Sequence, residues 1–368
     1  MIRSKHCAEN ERIKRRYLIW LKDAKGYSIP SIDMAAAAIN RFETYTRHRD
    51  FKKYHVEQAR AFKSHLSAKA LGVQSGERLS KATVTSTLRQ VKAFFMWLAD
   101  QPSYRSRIKH SDAEYFTPLG QDERIANGTR NKPVPELHEI EKALRTMPDT
   151  TETERRDRAV IAFIILTGGR DGAVASLKLK HMDAAKGVIF WDAREVRTKR
   201  AKTFVSKFFP VGDLPLEIVT EWIAFLTAEK GYGPDDPLFP ASQVDLQGLG
   251  NSPVISLSRR NWQTTSPIRE IFKDACNRAG LPKFNPHSVR STLARLGERR
   301  CRTAEEFKAW SQNLGHEKVM TTFSSYGKVA EERQMEIIAG LGRNRSEEDD
   351  LAGEIARVIR KQRSRAIS

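Results

Sequence analysis

The sequence predicts a mainly α-helical fold of two domains, an N-terminal helical bundle and a larger helical domain that contains a small antiparallel β-sheet. The 368 residues exceed the length of one typical domain. Through most of the chain, apolar residues recur at three- and four-residue steps, which is the period of an amphipathic helix. Between residues 187 and 211 the pattern changes to short runs of β-branched and aromatic residues, which are typical of strands.

Four helices are expected in the first hundred residues. They cover residues 11–23, 31–46, 55–66 and 81–99. Ser31 or Asp33 can cap the second helix, and Ser80 is the expected N-cap of the fourth. The fourth helix carries a continuous apolar stripe, typical of the core of a bundle, that consists of Val84, Leu88, Val91, Phe95 and Leu98.

The second half combines helices with strands. Its expected helices cover residues 136–147, 154–166, 216–230, 266–279, 288–299 and 303–312. The helix at 154–166 is apolar on nearly all sides, and Gly168-Gly169 ends it. Between these helices, an antiparallel sheet is expected from three short strands at 188–191, 195–197 and 203–211.

A polar, basic and turn-rich region at residues 101–132 separates the two halves and contains an interdomain linker. The expected organisation is an N-terminal helical extension at 1–26, a helical domain at 27–118, a linker at 119–132, a second domain at 133–345 and a basic C-terminal helix and tail at 346–368. The tail begins with acidic residues and ends with basic ones, an order that suits the dipole of a helix.

The composition favours a nucleic-acid partner. The formal net charge is +19, and basic residues occur throughout both halves. Cys7, Cys276 and Cys301 are far apart and form no Cys-x-x-Cys pair, which argues for a reducing compartment without disulfides or a zinc module. No apolar run approaches the roughly 20 residues of a membrane span. We therefore expect a cytoplasmic protein without a membrane segment.

Three short motifs and one tyrosine in the second half carry residues suited to phosphate chemistry. They are Thr167-Gly-Gly-Arg170, His287-Ser-Val-Arg290, Leu314-Gly-His316 and, ten positions further, Tyr326. An arginine is planar, permanently charged and able to bind a phosphate with two parallel hydrogen bonds. His287 and Arg290 are three residues apart near a helix start, where the helix dipole favours an anion. Taken singly, each residue has a structural alternative, such as a helix C-cap for Arg170 or a turn position for His316.

In their order and local spacing, these motifs resemble the phosphodiester site of the tyrosine recombinase (phage-type integrase) family. Leu79-Ser-Lys-Ala-Thr-Val and Phe94-Phe-Met-Trp-Leu98 also resemble the last helices of the core-binding domain of that family. The resemblance covers most of residues 30–330. It implies a two-domain clamp on double-stranded DNA, with a core-binding domain at 27–118 and the catalytic domain at 133–345.

The resemblance also implies a role for each residue. Tyr326 would attack the phosphorus and form a 3′-phosphotyrosine link, while Arg170 and Arg290 would hold the non-bridging oxygens. His287 would assist proton transfer, and His316 would donate to a non-bridging oxygen.

In the family, a lysine on the turn between two strands protonates the leaving oxygen. Here the segment Val196-Arg-Thr-Lys199-Arg-Ala-Lys202 offers two candidates. Lys199 is preferred, because Thr-Lys after a strand matches the family better, and Lys202 is the alternative. The chain departs from the family pattern at Ala173 and Ser288, where acidic residues are common.

The resemblance implies a site-specific DNA recombinase that breaks and rejoins DNA without metal or ATP. Such an enzyme would act as a homo-tetramer on two DNA sites and exist as a monomer or dimer when free. The alternative is a catalytically silent DNA-binding or architectural protein on the same scaffold. The C-terminal segment is either a solvated helix or one that docks on a neighbouring protomer.

Overall fold

The computed structural model describes residues 6–71, 79–120, 123–124, 134–245, 254–316, 334–335 and 338–339. Contacts divide the chain into two units, Met1–Arg130 and Asn131–Ser368. In their described residues both are mainly helical, and the second contains two small antiparallel sheets, so the predicted fold class is confirmed. None of the helices in the described parts of the chain is long and apolar enough to cross a membrane. Most of the expected linker, and the whole C-terminal tail, lie outside the described residues.

In its described residues, the first unit contains four long helices and one short helix: α1 (Ala8–Asp23), α2 (Ile29–Tyr45), α3 (Val56–Leu71), α4 (Lys81–Ala99) and α5 (His110–Ala113). Helix α4 begins as predicted, because the Ser80 hydroxyl accepts a hydrogen bond from the backbone N–H of Thr83 at 3.1 Å. Helix α2 begins earlier than predicted. Ser28 occupies its N-cap and Pro30 lies in its first turn, where a proline needs no backbone donor.

An aromatic core holds this unit together. Phe42 of α2 packs edge to face on Phe95 of α4 at 5.3 Å between ring centroids. Helix α1 joins the same core through Ile13, Tyr17 and Leu21, which are all buried. Part of the region predicted to be polar also contributes to it, since Tyr104, Ile108 and Phe116 are buried. Apolar anchors therefore extend this unit beyond α4.

A buried carboxylate joins α1 to α2. Glu43 is fully buried, and it forms an ion pair with Lys14 and accepts a hydrogen bond from the Asn10 amide at 3.1 Å. The Asn10 side chain also accepts from the backbone N–H of Phe51 at 3.0 Å. These polar groups satisfy one another in the core, which a buried charge requires.

The second unit is organised around one buried helix. The helices described in it are α6 (Leu137–Thr146), α7 (Glu152–Thr167), α8 (Asp171–Val174), α9 (Asp213–Ala224), α10 (Ser266–Arg278), α11 (Pro286–Arg300) and α12 (Ala304–Asn313). Every residue of α7 from Ala159 to Thr167 is buried, and α9, α10 and α11 pack against this helix. Its apolar composition on all sides is therefore explained by neighbours on all sides.

The first sheet differs in detail from the prediction. Its strands, in the order β1-β2-β3, are β1 (Met182–Asp183), β2 (Val188–Trp191) and β3 (Phe204–Lys207). The prediction of a strand at 195–197 is wrong. The backbone N–H groups of Glu195 and Val196 both donate to the Asp192 carbonyl, so this segment forms a turn. The strand predicted at 203–211 is shorter than expected.

A second hairpin was not predicted. It pairs β4 (Pro240–Asp245) with β5 (Val254–Asn261). The buried guanidinium of Arg156 on α7 anchors it by donating to the Pro240 carbonyl at 3.1 Å and to the Ser242 hydroxyl at 2.8 Å. Proline, serine and arginine give these strands a composition that favours loops, so tertiary contacts decide their structure.

Candidate active site

The end of α7 is the first component of the site. Gly168 adopts the left-handed conformation with φ +63°, and its N–H bonds to the Ile164 carbonyl at 2.8 Å. A Cβ added here would lie 2.6 Å from Leu314 Cδ2 and 3.1 Å from Leu293 Cδ1. Only glycine allows the end of α7 to approach α11 and the turn after α12 so closely.

Arg170 follows this turn at the N-cap position of α8 and is half-buried. Its backbone carbonyl accepts from the N–H groups of Ala173 and Val174, both at 2.9 Å. Arg170 and Arg290 line one small cleft. The neighbouring Asp171 is engaged elsewhere, since its carboxylate accepts from Arg269 Nη2 at 3.0 Å.

The first turn of α11 positions His287 and Arg290. The Asn285 side chain caps the helix by accepting from the backbone N–H of Ser288 at 3.0 Å, and the Ser288 hydroxyl donates to the Asn285 carbonyl at 2.6 Å. Ser288 therefore has a capping function at the position where the sequence departs from the family pattern. His287 is exposed, whereas Arg290 is 2% exposed.

The guanidinium of Arg290 connects three segments of the chain. Nη1 donates to the Gly168 carbonyl, and Nη2 donates to the Leu314 carbonyl at 2.7 Å. Nη2 also lies 2.9 Å from Nε2 of His316. The glycine turn, α11 and the turn after α12 thus meet at one buried cation.

His316 is 6% exposed and lies at the centre of a cationic cluster. The pKa of its imidazole is lowered to about 3, most by burial and then by the electrostatic effects of Arg290, Arg170, Lys202 and His287, which all act in the same direction. A guanidinium has no acceptor, so Nε2 of His316 accepts from Arg290 and the ring proton is on Nδ1. The ring is therefore neutral.

The two candidate lysines lie in different surroundings. Lys199 is exposed on the turn Lys199–Ala201 and lines the cleft that contains Arg170. Lys202 is half-buried, and its Nζ donates to the Gly315 carbonyl at 3.3 Å. The same Nζ lies 5.6 Å from the ring centroid of Phe204. Lys202 is thus in direct contact with the residue before His316.

Of the six residues singled out from the sequence, the structure brings Arg170, Arg290 and His316 together, with Lys199 on the wall of the same cleft. His287 is within electrostatic range of His316. Tyr326 lies outside the described residues. In the described part of the chain, no group of three or more His, Cys, Asp or Glu side chains is arranged to hold a metal ion.

Comparisons with known sequences match the chain to one family. The model of the phage integrase family matches residues 136–333, which is more than half of the chain. The chain is 22% identical to tyrosine recombinase XerC of Halalkalibacterium halodurans over 334 residues, 89% of this chain and 96% of that relative.

Solved structures show the same fold. A dimer of a lambda integrase fragment bound to a COC' core site matches 87% of this chain and 96% of its own, at 13% identity and a TM-score of 0.60. The Tn1549 transposon integrase in complex with transposon right end DNA matches 90% of this chain and 99% of its own, at 15% identity and a TM-score of 0.57.

The fold is that of the tyrosine recombinases, which break and rejoin DNA. The chain belongs to the phage integrase family. The resemblance on which the sequence analysis relied is therefore confirmed.

Proposed function

We propose that this chain is a site-specific DNA recombinase that cleaves and rejoins duplex DNA through a 3′-phosphotyrosine intermediate. The observation that carries the proposal is the convergence of Arg290, Arg170, Lys202 and His287 on the buried His316. Several cations around one buried neutral ring favour an anion among them. A phosphodiester is such an anion, and its negative charge grows as a nucleophile attacks phosphorus.

Arg170 and Arg290 suit the task of holding the non-bridging oxygens. Both are permanently charged, and a positioned donor of this kind is worth roughly a hundred- to thousand-fold in rate. Arg290 is fixed by two carbonyls and a histidine, so it needs little reorganisation when the phosphate binds. A neutral His316 with its proton on Nδ1 remains a hydrogen-bond donor at physiological pH.

We assign the general acid to Lys202 rather than to Lys199. The ammonium group of Lys202 contacts the Gly315 carbonyl and acts electrostatically on His316. It therefore lies among the groups proposed to bind the phosphate and can protonate the departing 5′ oxygen. His287, exposed at the start of α11, would assist proton transfer to or from the nucleophile.

Tyr326 is the proposed nucleophile. A phenol has a pKa near 10 and needs activation by its neighbours, and we propose that the cations of the cluster favour its phenolate when the phosphate is bound. Reversal of the phosphotyrosine link conserves the bond energy, so strands can be exchanged without ATP. Exchange between two duplexes needs four active sites, and we propose a homo-tetramer on two DNA sites that is a monomer or dimer when free. Lambda integrase, a transposon integrase and XerH have been solved bound to DNA, which supports double-stranded DNA as the partner.

The function is tested by covalent capture. A library of nicked duplexes with randomised sequence is incubated with the protein in the presence of a chelator, and adducts that resist denaturant are recovered and sequenced. Cleavage beside a nick releases a short fragment, so the adduct cannot be resealed. We expect adducts that share a common sequence, and none from Tyr326→Phe.

Two other outcomes would decide against the proposal. Equal adduct formation by Tyr326→Phe would mean that another residue is the nucleophile. DNA binding by the unmodified protein without any adduct would favour the catalytically silent DNA-binding protein.

The choice of lysine is tested with a duplex in which sulfur replaces the 5′ bridging oxygen at the cleavage site. A thiolate leaves without being protonated, so loss of the general acid is tolerated on this substrate. We expect Lys202→Ala to be slow on the ordinary duplex and fast on the sulfur duplex, whereas Lys199→Ala changes the two rates equally. The reverse pattern would assign the acid to Lys199.

A further inference from the structure

The side-chain amide of Asn313 binds the backbone of strand β3 at two points. The backbone N–H of Lys207 donates to Asn313 Oδ1 at 2.7 Å, and Asn313 Nδ2 donates to the Lys207 carbonyl at 2.8 Å. A backbone N–H can only donate and a carbonyl can only accept, so this pair also defines the orientation of the amide. Asn313 is the last residue of α12 and lies three positions before His316.

The amide takes the place of a neighbouring strand. β3 is at the edge of the sheet in the order β1-β2-β3, and Lys207 is opposite Val188 of β2. Backbone groups at a sheet edge have no strand partner on the outer side. Asn313 supplies there the donor and the acceptor that a peptide group would supply, and so attaches β3 to the end of α12.

Two further contacts join the same two segments next to the site. A Cβ added to Gly315 would lie 2.7 Å from Phe204 Cζ, so the ring of Phe204 packs directly on the Gly315 backbone. The Lys202 ammonium, two residues before Phe204, donates to the Gly315 carbonyl. The strand that follows Lys202 and the turn that carries His316 are therefore held together at Lys207, Phe204 and Lys202.

We propose that Asn313 is a positioning residue that sets Lys202 at the correct distance from the scissile phosphate. It acts by fixing β3 relative to the turn at His316, and it does not itself touch DNA. The inference depends on the proposed role of Lys202 as general acid. Losing the amide leaves the Phe204 packing in place but removes the directional contact, and a shift of about 1 Å in a catalytic group lowers a rate by roughly a hundredfold.

The test compares two duplexes of the captured sequence, one with the ordinary 5′ bridging oxygen and one with sulfur at that position. Single-turnover cleavage is measured for the unmodified protein, Asn313→Ala, Lys202→Ala and the control Asn277→Ala, which changes an exposed asparagine at the end of α10. For each protein we compare the cleavage rate on the sulfur duplex with the rate on the oxygen duplex. A variant that folds only partly lowers both rates equally, so the ratio of the two rates does not depend on the folded fraction.

We expect Asn313→Ala to cleave the oxygen duplex about tenfold to a hundredfold more slowly and the sulfur duplex within about threefold of the unmodified protein. Asn277→Ala should match the unmodified protein on both. Asn313→Asp keeps the acceptor for the Lys207 N–H and loses the donor, so it should show the same preference for sulfur. Asn313→Asp replaces Asn313→Ala in the test if the alanine variant does not fold.

The outcomes separate this inference from the proposed function. If Lys202→Ala is rescued by sulfur while Asn313→Ala is equally slow on both duplexes, or unaffected on both, the positioning role of Asn313 is wrong. If sulfur does not rescue Lys202→Ala, the assignment of Lys202 as the acid is wrong, and the inference falls with it.

Discussion

Nη2 of Arg290 lies 2.9 Å from Nε2 of His316, and both side chains are almost completely buried. Because a guanidinium only donates, this contact requires an imidazole with a free lone pair on Nε2. Protonation of that nitrogen would place two positive groups against each other away from water. The pair thus links the protonation of His316 to the packing of the turn at Leu314 and to the end of α7.

The pH dependence of stability should therefore report on His316. Its pKa in the folded protein is about 3, below its ordinary value of 6.5. Between these values the unfolded state binds more protons than the folded state, so the contribution of His316 is complete above pH 6.5 and is lost as the pH falls toward 3. The loss amounts to about 2 kcal/mol at pH 5. Urea unfolding at pH 7.5 and pH 5 measures it.

The matched variant is His316→Gln, whose amide can still accept from Arg290 but does not titrate. We expect this variant to lose less stability than the unmodified protein between pH 7.5 and pH 5. Equal losses would show that His316 has an ordinary pKa in the folded protein.

Arg290→Lys should destabilise the second unit although the charge is retained. An ammonium group cannot reach the Gly168 carbonyl, the Leu314 carbonyl and His316 together, so buried acceptors lose their donors. We expect a loss of about 2 kcal/mol or more in the free energy of unfolding and at least a hundredfold in cleavage rate. The control is Arg299→Lys at an exposed site, with an expected change within about 0.5 kcal/mol. Similar losses for the two variants would contradict this account of Arg290.

Gly315→Ala tests the close approach of Phe204. Gly315 has φ +72°, and an added methyl group would meet the Phe204 ring at 2.7 Å. Gly280 has a similar φ of +65° but nothing within 4 Å, so it isolates the backbone contribution. We expect Gly280→Ala to cost about 1 kcal/mol and Gly315→Ala about 2 kcal/mol more, since steric overlap in a packed region adds to backbone strain. Thermal unfolding of the two variants decides between strain alone and strain with overlap.

Lys14→Ala should destabilise the first unit by removing the cation that is paired with the buried Glu43. An unpaired carboxylate in a fully buried position costs about 3 kcal/mol. The control is Lys22→Ala, which changes an exposed lysine near the end of α1 and should have little effect on stability. Replacing Glu43 by Gln in the Lys14→Ala variant removes the uncompensated charge and should restore part of the loss. Failure of that second change to restore stability would argue that packing of the Lys14 side chain matters more than its charge.

Local signals in the sequence predict much of this fold. Ser80 satisfies a backbone donor at the start of α4, and the glycines at 168 and 169 end α7, because both effects involve neighbours in the sequence. The apolar stripe of α4 is buried as its period predicts. The order and spacing of the histidines and arginines in the second half were sufficient to identify the family.

Other features of the fold and the site depend on contacts between residues far apart in the sequence, so no local sequence pattern predicts them. Arg290 binds the carbonyl of Gly168, which lies 122 positions earlier in the chain. The position of Lys202 next to His316 depends on a turn in which Arg200 and Ala201 both adopt positive φ, a conformation their residue types do not favour. The sequences of β4 and β5 do not predict strands, and the buried side chain of Arg156 holds β4 in place through hydrogen bonds to Pro240 and Ser242. The role of Asn313 could not be predicted from the sequence, because both of its partners are backbone groups of Lys207 and any residue type provides such groups.

The amide of Asn313 also has a consequence for association. An exposed strand edge invites addition of a foreign strand, in the way that extended peptides extend a sheet or that chains begin to aggregate. At Lys207 the outward backbone groups of β3 are already engaged by a side chain of the same unit. A peptide approaching this edge would have to displace that amide, so the contact disfavours extension of the sheet beside β3.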